Sequence, residues 1–211
     1  MWYGGIATAD CLGCSLKCVF CWSDKPRDNP EKMGHFHAPE EVYERLASSA
    51  RRRGFSQMRV SGNEPTLATE HLITLLELVE GSGFRFILET NGLHVDEGFA
   101  KSLSTFDCLH VRVSLKGTTA DEFHTLTGAR REAFGLQLDA LSNLISNGVS
   151  CHPAVMSSFS SGENLLRLEE KLREIHRGLP KALEEETLIL YPHVAKRLKK
   201  AGIKPLRGAE A

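Results

Sequence analysis

Cys11-Leu-Gly-Cys14-Ser-Leu-Lys-Cys18-Val-Phe-Cys21-Trp22 gathers four of the chain's six cysteines into eleven positions. Thiols this crowded serve to hold something, and their spacing narrows what that is. A zinc ribbon also uses paired Cys-x-x-Cys knuckles, but it sets them roughly 15 to 20 residues apart so that two turns converge on one tetrahedral ion. Here three residues separate the pair Cys11/Cys14 from the pair Cys18/Cys21. Iron–sulfur clusters are served by closely spaced thiolates on one loop, because a cubane offers several iron corners within reach of a single wrapped segment. Spacing alone leaves three ligand sets open: Cys14/Cys18/Cys21, Cys11/Cys14/Cys18, or all four. The run that follows, Ser23 to Pro30, reads as loop, since two prolines and several turn formers work against regular structure.

Outward from the loop, strand-like and helix-like segments alternate. Gly5 to Asp10 is a short first strand that delivers the cysteines from its C-terminal end. A helix opens at Pro39 and ends in Arg51-Arg52-Arg53-Gly54, with Val42, Leu46 and Ala50 on one face. Strand segments at Gln57–Ser61, Arg85–Glu89, Leu109–Ser114, Ser150–Met156 and Thr187–Tyr191 follow, separated by helical periodicity that includes Leu72, Leu75, Leu76 and Val79. A helical region from Ala120 to Asn147 breaks at Gly128, and further helices are expected at Glu163–His176 and His193–Ala201. Strands alternating with helices of this length imply right-handed crossovers and a parallel sheet. Six such units predict a partial (β/α)6 parallel barrel, with residues 1–206 as one domain and 207–211 as a loose tail.

The triplet Cys14-x3-Cys18-x2-Cys21, with Phe20 before its last member, resembles the CxxxCxxC signature of the radical S-adenosylmethionine (radical SAM) superfamily. The resemblance implies the same core fold. It also implies that Cys14, Cys18 and Cys21 bind three irons of a 4Fe–4S cluster, while S-adenosylmethionine chelates the fourth iron through its amino and carboxylate groups. Phe20 and Trp22 flank the last cysteine as that pattern expects, which leaves Cys11 as an extra thiol, read as a small residue at a strand end.

In parallel α/β folds the loops at the C-terminal strand ends build the site, and the motifs found there fit. Ser61-Gly62-Asn63-Glu64-Pro65-Thr66 resembles the family's GGEPT segment, departing from it at Ser61 and Asn63. In that segment the glycine lets the backbone approach the methionine amino group, and the carboxylate faces the ammonium. Glu89-Thr90-Asn91-Gly92 and Ser114-Leu115-Lys116-Gly117 resemble segments of the glycyl-radical activating enzymes, the group of pyruvate formate-lyase activase. Glu122-Phe-His124-Thr-Leu-Thr127-Gly128 and Leu190-Tyr191-Pro192-His193 are similar to two more of them. Carried over, Ser61, Gly62, Asn63, Glu64, Glu89, Asn91, Ser114, Lys116 and His193 face the cofactor, although Ser114 stands where the activases have Asp. In those enzymes the acidic residue matching Glu89 helps to hold a monovalent cation. Arg112 shares strand parity with Ser114, so both point to the interior, where an unpaired Arg is costly. Arg112 is therefore expected to pair with Glu89 and replace the ion's charge.

The resemblance implies a radical enzyme. An electron donor such as ferredoxin or flavodoxin supplies the cluster, the cofactor is cleaved to a 5′-deoxyadenosyl radical, and that radical abstracts hydrogen from substrate. A glycyl-radical protein is one candidate substrate, since the open mouth of a small barrel suits a macromolecule that brings its own lid. A tRNA base or a small molecule is another, as the Cys21-Trp22 junction resembles the wyosine-forming radical enzymes. Outside this class the rivals are a non-catalytic iron–sulfur carrier and a zinc-stabilised module.

Composition bounds the rest. With 41% hydrophobic residues in 211, the chain can build a substantial core. A formal net charge of -1 gives no electrostatic footprint for nucleic acid. No apolar run approaches the roughly 20 residues of a membrane span, and Met1-Trp2-Tyr3-Gly4-Gly5 lacks the regions of a signal peptide, so a cytoplasmic protein is expected. Cys108 and Cys151 fall in strand-like segments as reduced thiols.

Overall fold

Five of the strand-like segments and an acidic triplet form a single parallel sheet of six strands: β1 (Ile6–Cys11), β2 (Gln57–Gly62), β3 (Arg85–Thr90), β4 (Leu109–Leu115), β5 (Cys151–Met156) and β6 (Glu184–Glu186). The computed structural model describes residues 5–210, with side chains to residue 208. Residues 1–4, part of the stretch read for a signal peptide, and residue 211 at the end of the expected tail lie outside the described residues. Strand order follows chain order, and β1 and β6 form the two edges of an unclosed sheet, the partial barrel that the alternation predicts. A separate two-stranded ladder pairs β7 (Ile189–Leu190) with β8 (Ala209–Glu210). The expected tail is thus partly tied down, since the Leu206 and Arg207 amides also donate to the Ser158 carbonyl.

Ten helices are present among the described residues: α1 (Asp24–Asp28), α2 (Pro30–Met33), α3 (Pro39–Arg53), α4 (Thr69–Val79), α5 (Glu97–Leu103), α6 (Ala120–Thr127), α7 (Ala133–Ser146), α8 (Gly162–Ile175), α9 (Leu179–Ala182) and α10 (Pro192–Ala201). Gly128 ends α6 with φ 73°, a left-handed conformation that suits glycine, which is why the helical region breaks there. Leu46 and Ala50 of α3, together with Leu72, Leu75, Leu76 and Val79 of α4, are buried against the sheet. No described helix is long and apolar enough to cross a membrane.

Two expectations are corrected. Residues 23–30 are not simply loop, because α1 and the start of α2 occupy them. Pro30 opens α2 and Pro26 lies in the first turns of α1, where a missing N–H costs no helical hydrogen bond. The sixth strand is not Thr187–Tyr191 but the acidic triplet Glu184–Glu186, which pairs with Ala154, Val155 and Met156 of β5.

β4 explains that shift. All seven of its residues are buried, with Leu109, Val111, Val113 and Leu115 alternating with His110, Arg112 and Ser114. In register, Glu89, Arg112 and His152 sit side by side on β3, β4 and β5. Arg112, only 5% exposed, donates from Nε and Nη2 to both oxygens of Glu184 at 3.0 Å and from Nη2 to Glu186 at 2.8 Å. A buried guanidinium needs carboxylates, and the triplet supplies them from the edge strand.

Behind it, His110 Nε2 lies 2.7 Å from His152 Nδ1, and His152 Nε2 lies 3.3 Å from Glu184. Burial, reinforced by His152 and Arg85, pushes His110 from 6.5 down to about 4. Burial likewise lowers His152, although Glu184 opposes it. The unfolded chain therefore takes up protons near pH 6.5 that the folded chain refuses until lower pH. Stability should be full above about pH 6.5 and fall as pH drops toward 4, by at most about 3 kcal/mol for His110. Urea midpoints measured across that window test this, and His110→Gln should flatten the decline.

Candidate active site

β1 ends at Cys11, and the chain then turns across the C-terminal ends of the strands, carrying Cys14, Cys18 and Cys21 onto one cavity of about 400 Å³. Leu16 and Phe20, both buried, anchor the loop between the thiols. The backbone is held as well, since the Lys17 and Val19 amides donate to the carbonyls of Thr127 and Leu126 at the end of α6. Cys11 is not among the residues lining the cavity; its thiol donates to the Ser61 carbonyl at 3.0 Å.

Burial pushes the Cys18 thiol up to about 12 and raises that of Cys14, with Lys116 pulling both in the opposite direction. Ionised thiolates at these positions need cationic partners, which is what bound iron provides. No three Cys, His, Asp or Glu side chains among the described residues gather tightly enough to share a single metal ion. Three thiols closely spaced on one loop and lining one cavity fit the donor set of an iron–sulfur cluster.

Of the other predicted residues, Ser61, Gly62, Asn63, Glu64, Glu89, Asn91, Arg112, Ser114 and Lys116 all line the same cavity. Their local roles sharpen the motif reading. Gly62 has φ 92°, and a Cβ there would lie 2.8 Å from the Cys11 carbonyl oxygen, so glycine is required where β2 meets the root of the cysteine loop. Asn63 accepts from the Gly13 amide at 3.2 Å through its side-chain oxygen and donates to the Ser23 carbonyl at 3.2 Å. The side chain that departs from the family pattern thus joins the two flanks of the loop.

Glu64, 2% exposed, accepts from the Thr66 amide and hydroxyl, the Thr90 hydroxyl and the Asn91 amide. It knits the end of β2 to the end of β3. Asn91 in turn directs its amide nitrogen to Cys14 Sγ at 3.7 Å. Lys116 donates to Ser114 at 2.6 Å, and Ser114 lies 3.4 Å from Glu186. Burial disfavours the charge on Glu186, but Lys116 and Arg112 outweigh it and hold its carboxyl below the ordinary range.

Two expectations need correcting here. Arg112 faces the interior as expected, but its bound carboxylates are Glu184 and Glu186; Glu89 instead pairs with Arg59 at 3.0 Å and accepts from Ser61 at 2.5 Å. His193 is not a lining residue, since its Nε2 sits 2.9 Å from the Trp22 carbonyl, while Tyr191 and Ile189 complete that wall. Among the residues missed are Arg27, Met156 and Glu186, which line the cavity, and Arg59, which does not line it but pairs with Glu89. Arg59 was within reach, because it shares parity with Ser61 on β2; nothing in the acidic triplet marks Glu186 as facing a cavity.

An unclosed parallel (β/α)6 sheet with a thiol triplet at its C-terminal mouth defines an iron–sulfur α/β core. Residues 11–175 match the model of the Radical SAM superfamily, and the chain belongs to that superfamily. Its cofactors are those of the family, a 4Fe–4S cluster and S-adenosylmethionine. The chain is similar to the mycofactocin maturase MftC of Mycobacterium ulcerans, with 28% identity over 140 residues that cover 64% of this chain and 34% of that protein. It is also similar to a cysteine-type anaerobic sulfatase-maturating enzyme of Clostridium perfringens, with 32% identity over 132 residues covering 59% and 34%. Among solved structures, Streptococcus suis SuiB bound to the precursor peptide SuiA shares the fold at TM-score 0.68 and 17% identity, over 98% of this chain and 48% of that one. The aligned region spans about a third of the length of the curated relatives. None of these three is named as a glycyl-radical activating enzyme, the group that the strand-end motifs resemble.

Proposed function

We propose that the chain is the radical core of an enzyme that modifies a peptide or protein segment. The observation that carries this reading is the single cavity on which the cysteine triplet and the polar ends of β2, β3 and β4 converge, at the open mouth of the sheet. The likeness to proteins named as a maturase and a maturating enzyme supports a peptidic substrate, and the likeness to a protein named Fe-coproporphyrin III synthase keeps a small molecule as the second reading. A loop of a glycyl-radical protein belongs to the same chemical class.

Cys14, Cys18 and Cys21 would hold the cluster, and Ser61 to Glu64, Glu89, Asn91, Ser114 and Lys116 would surround the cofactor. Bound there and supplied with one electron by a ferredoxin- or flavodoxin-like donor, this pair would supply reductive cleavage of a carbon–sulfur bond, releasing methionine and the means to take hydrogen from substrate. The chain's own part is orientation and exclusion of water. Glu64 and Asn63 fix the backbone beneath the cofactor. Arg59, Arg112 and Lys116 together balance the three carboxylates Glu89, Glu184 and Glu186 in and beside the cavity.

Anaerobic reconstitution with iron and sulfide, then dithionite and S-adenosylmethionine, tests the reading. Release of methionine and 5′-deoxyadenosine is expected. A reducible cluster without cleavage would indicate an electron carrier, and zinc uptake without iron would reject both.

A further inference from the structure

The carbonyls of the cysteine loop are gripped from outside it. Cys18 O accepts from Arg27 Nη1 at 3.0 Å, and Trp22 O lies 2.9 Å from His193 Nε2. Between them, Arg197 donates from Nε to Val19 O at 3.1 Å and from Nη2 to Cys21 O. Its remaining nitrogen, Nη1, forms an ion pair with Asp24 Oδ2 at 2.6 Å at the start of α1, without the geometry of a hydrogen bond. One guanidinium thus bridges two carbonyls around Cys21 and the first helix after it.

Arg197 and His193 are four residues apart on α10 and form one stripe, while Val194 and Leu198 on the adjoining stripe are buried and seat the helix. The matched family region ends at residue 175, so α10 lies beyond it. Charge-assisted bonds of this kind are stronger than neutral ones, and Arg's planar fork suits two acceptors at once.

We propose that Arg197 is a positioning residue for the cysteine loop. It fixes Val19 to Asp24 so that Cys18 and Cys21 keep their spacing, and its fixed positive charge favours the more negative, reduced state of the cluster. This rests on the reading that Cys14, Cys18 and Cys21 hold the cluster.

The test compares reconstituted Arg197→Gln and Arg197→Lys with the parent chain, reading the cluster's midpoint potential and the rate of iron loss to a chelator. Gln removes the charge and the fork, so its potential should move negative and its iron should leave roughly tenfold faster. Lys keeps the charge but cannot bridge both carbonyls, so its potential should stay near the parent's while iron still leaves faster. A Gln variant that only melts earlier, with potential and iron loss unchanged, overturns the proposal. If Gln does not fold, Lys decides the matter: parent-like iron loss overturns the proposal as well. Failure of the parent chain to assemble a cluster refutes the cofactor reading itself, and this inference with it.

Discussion

Replacing Cys18 with Ala should leave a folded chain that binds no cluster and cleaves no S-adenosylmethionine. Cys18 is 7% exposed and packs in the main core cluster, so losing its sulfur costs about 1 kcal/mol of packing, too little to unfold a domain of this size. The effect on the site is far larger. Three irons need three thiolates, and no other Cys lines the cavity besides Cys14 and Cys21. Iron content after reconstitution and 5′-deoxyadenosine formation should both fall to the detection floor, while the far-ultraviolet circular dichroism matches the parent. Cys11→Ala is the matched control. Its thiol donates to the Ser61 carbonyl and does not line the cavity, so cluster and cleavage should persist. Full cleavage by Cys18→Ala would falsify the assignment of the triplet, and loss of the cluster in Cys11→Ala would restore the two ligand sets that include Cys11, Cys11/Cys14/Cys18 and all four thiols.

The triplet and the alternation around it were legible because both are local patterns. Thiols three and two residues apart announce their chemistry without a fold. Five of the six strands and the long helices follow from periodicity that burial enforces, as in Leu72, Leu75, Leu76 and Val79. Gly62 and Glu64 were found by motif, yet their physical reasons emerge only in three dimensions: a carbonyl 2.8 Å from an absent Cβ, and four donors converging on one carboxylate. What stayed hidden was long-range charge pairing. Parity put Arg112 inside and its cross-strand neighbour Glu89 beside it, and that much is seen in the register. Parity could not say that Glu89 binds Arg59, nor that three consecutive glutamates would form an edge strand whose carboxylates meet a buried guanidinium. Likewise, nothing local in the basic helix α10 ties Arg197 to carbonyls about 180 residues away.

Arg112→Met should destabilise the chain by about 3 kcal/mol at pH 7. Breaking a buried ion pair from one side costs about 3 to 5 kcal/mol, because the surviving charge stays desolvated without its partner. The low end applies here, since the Glu184 and Glu186 side chains are 37% and 28% exposed and water can recover part of the loss. The sign of the pH dependence distinguishes this cause from simple loss of packing. In the parent, burial works against both carboxylates, but Arg112 holds each below its usual range, with Lys116 assisting at Glu186 and His152 at Glu184. Without the guanidinium, burial acts with less opposition and their pKa values rise. Protonation then relieves the variant at a pH where the parent's carboxylates are still ionised, so the gap in stability should narrow as pH falls from 7 toward 5. Urea midpoints of both proteins across that range measure it. Adding Glu184→Gln and Glu186→Gln to Arg112→Met should recover most of the loss at pH 7, as the unpaired charges are gone. The same strand leads into Thr187, Leu188, Ile189 and Tyr191 on the cavity wall, so the single variant should also cleave S-adenosylmethionine more slowly than its stability alone accounts for, and the triple variant should regain part of that rate. A gap that stays constant with pH would mean that Arg112 contributes bulk to the barrel interior and not charge.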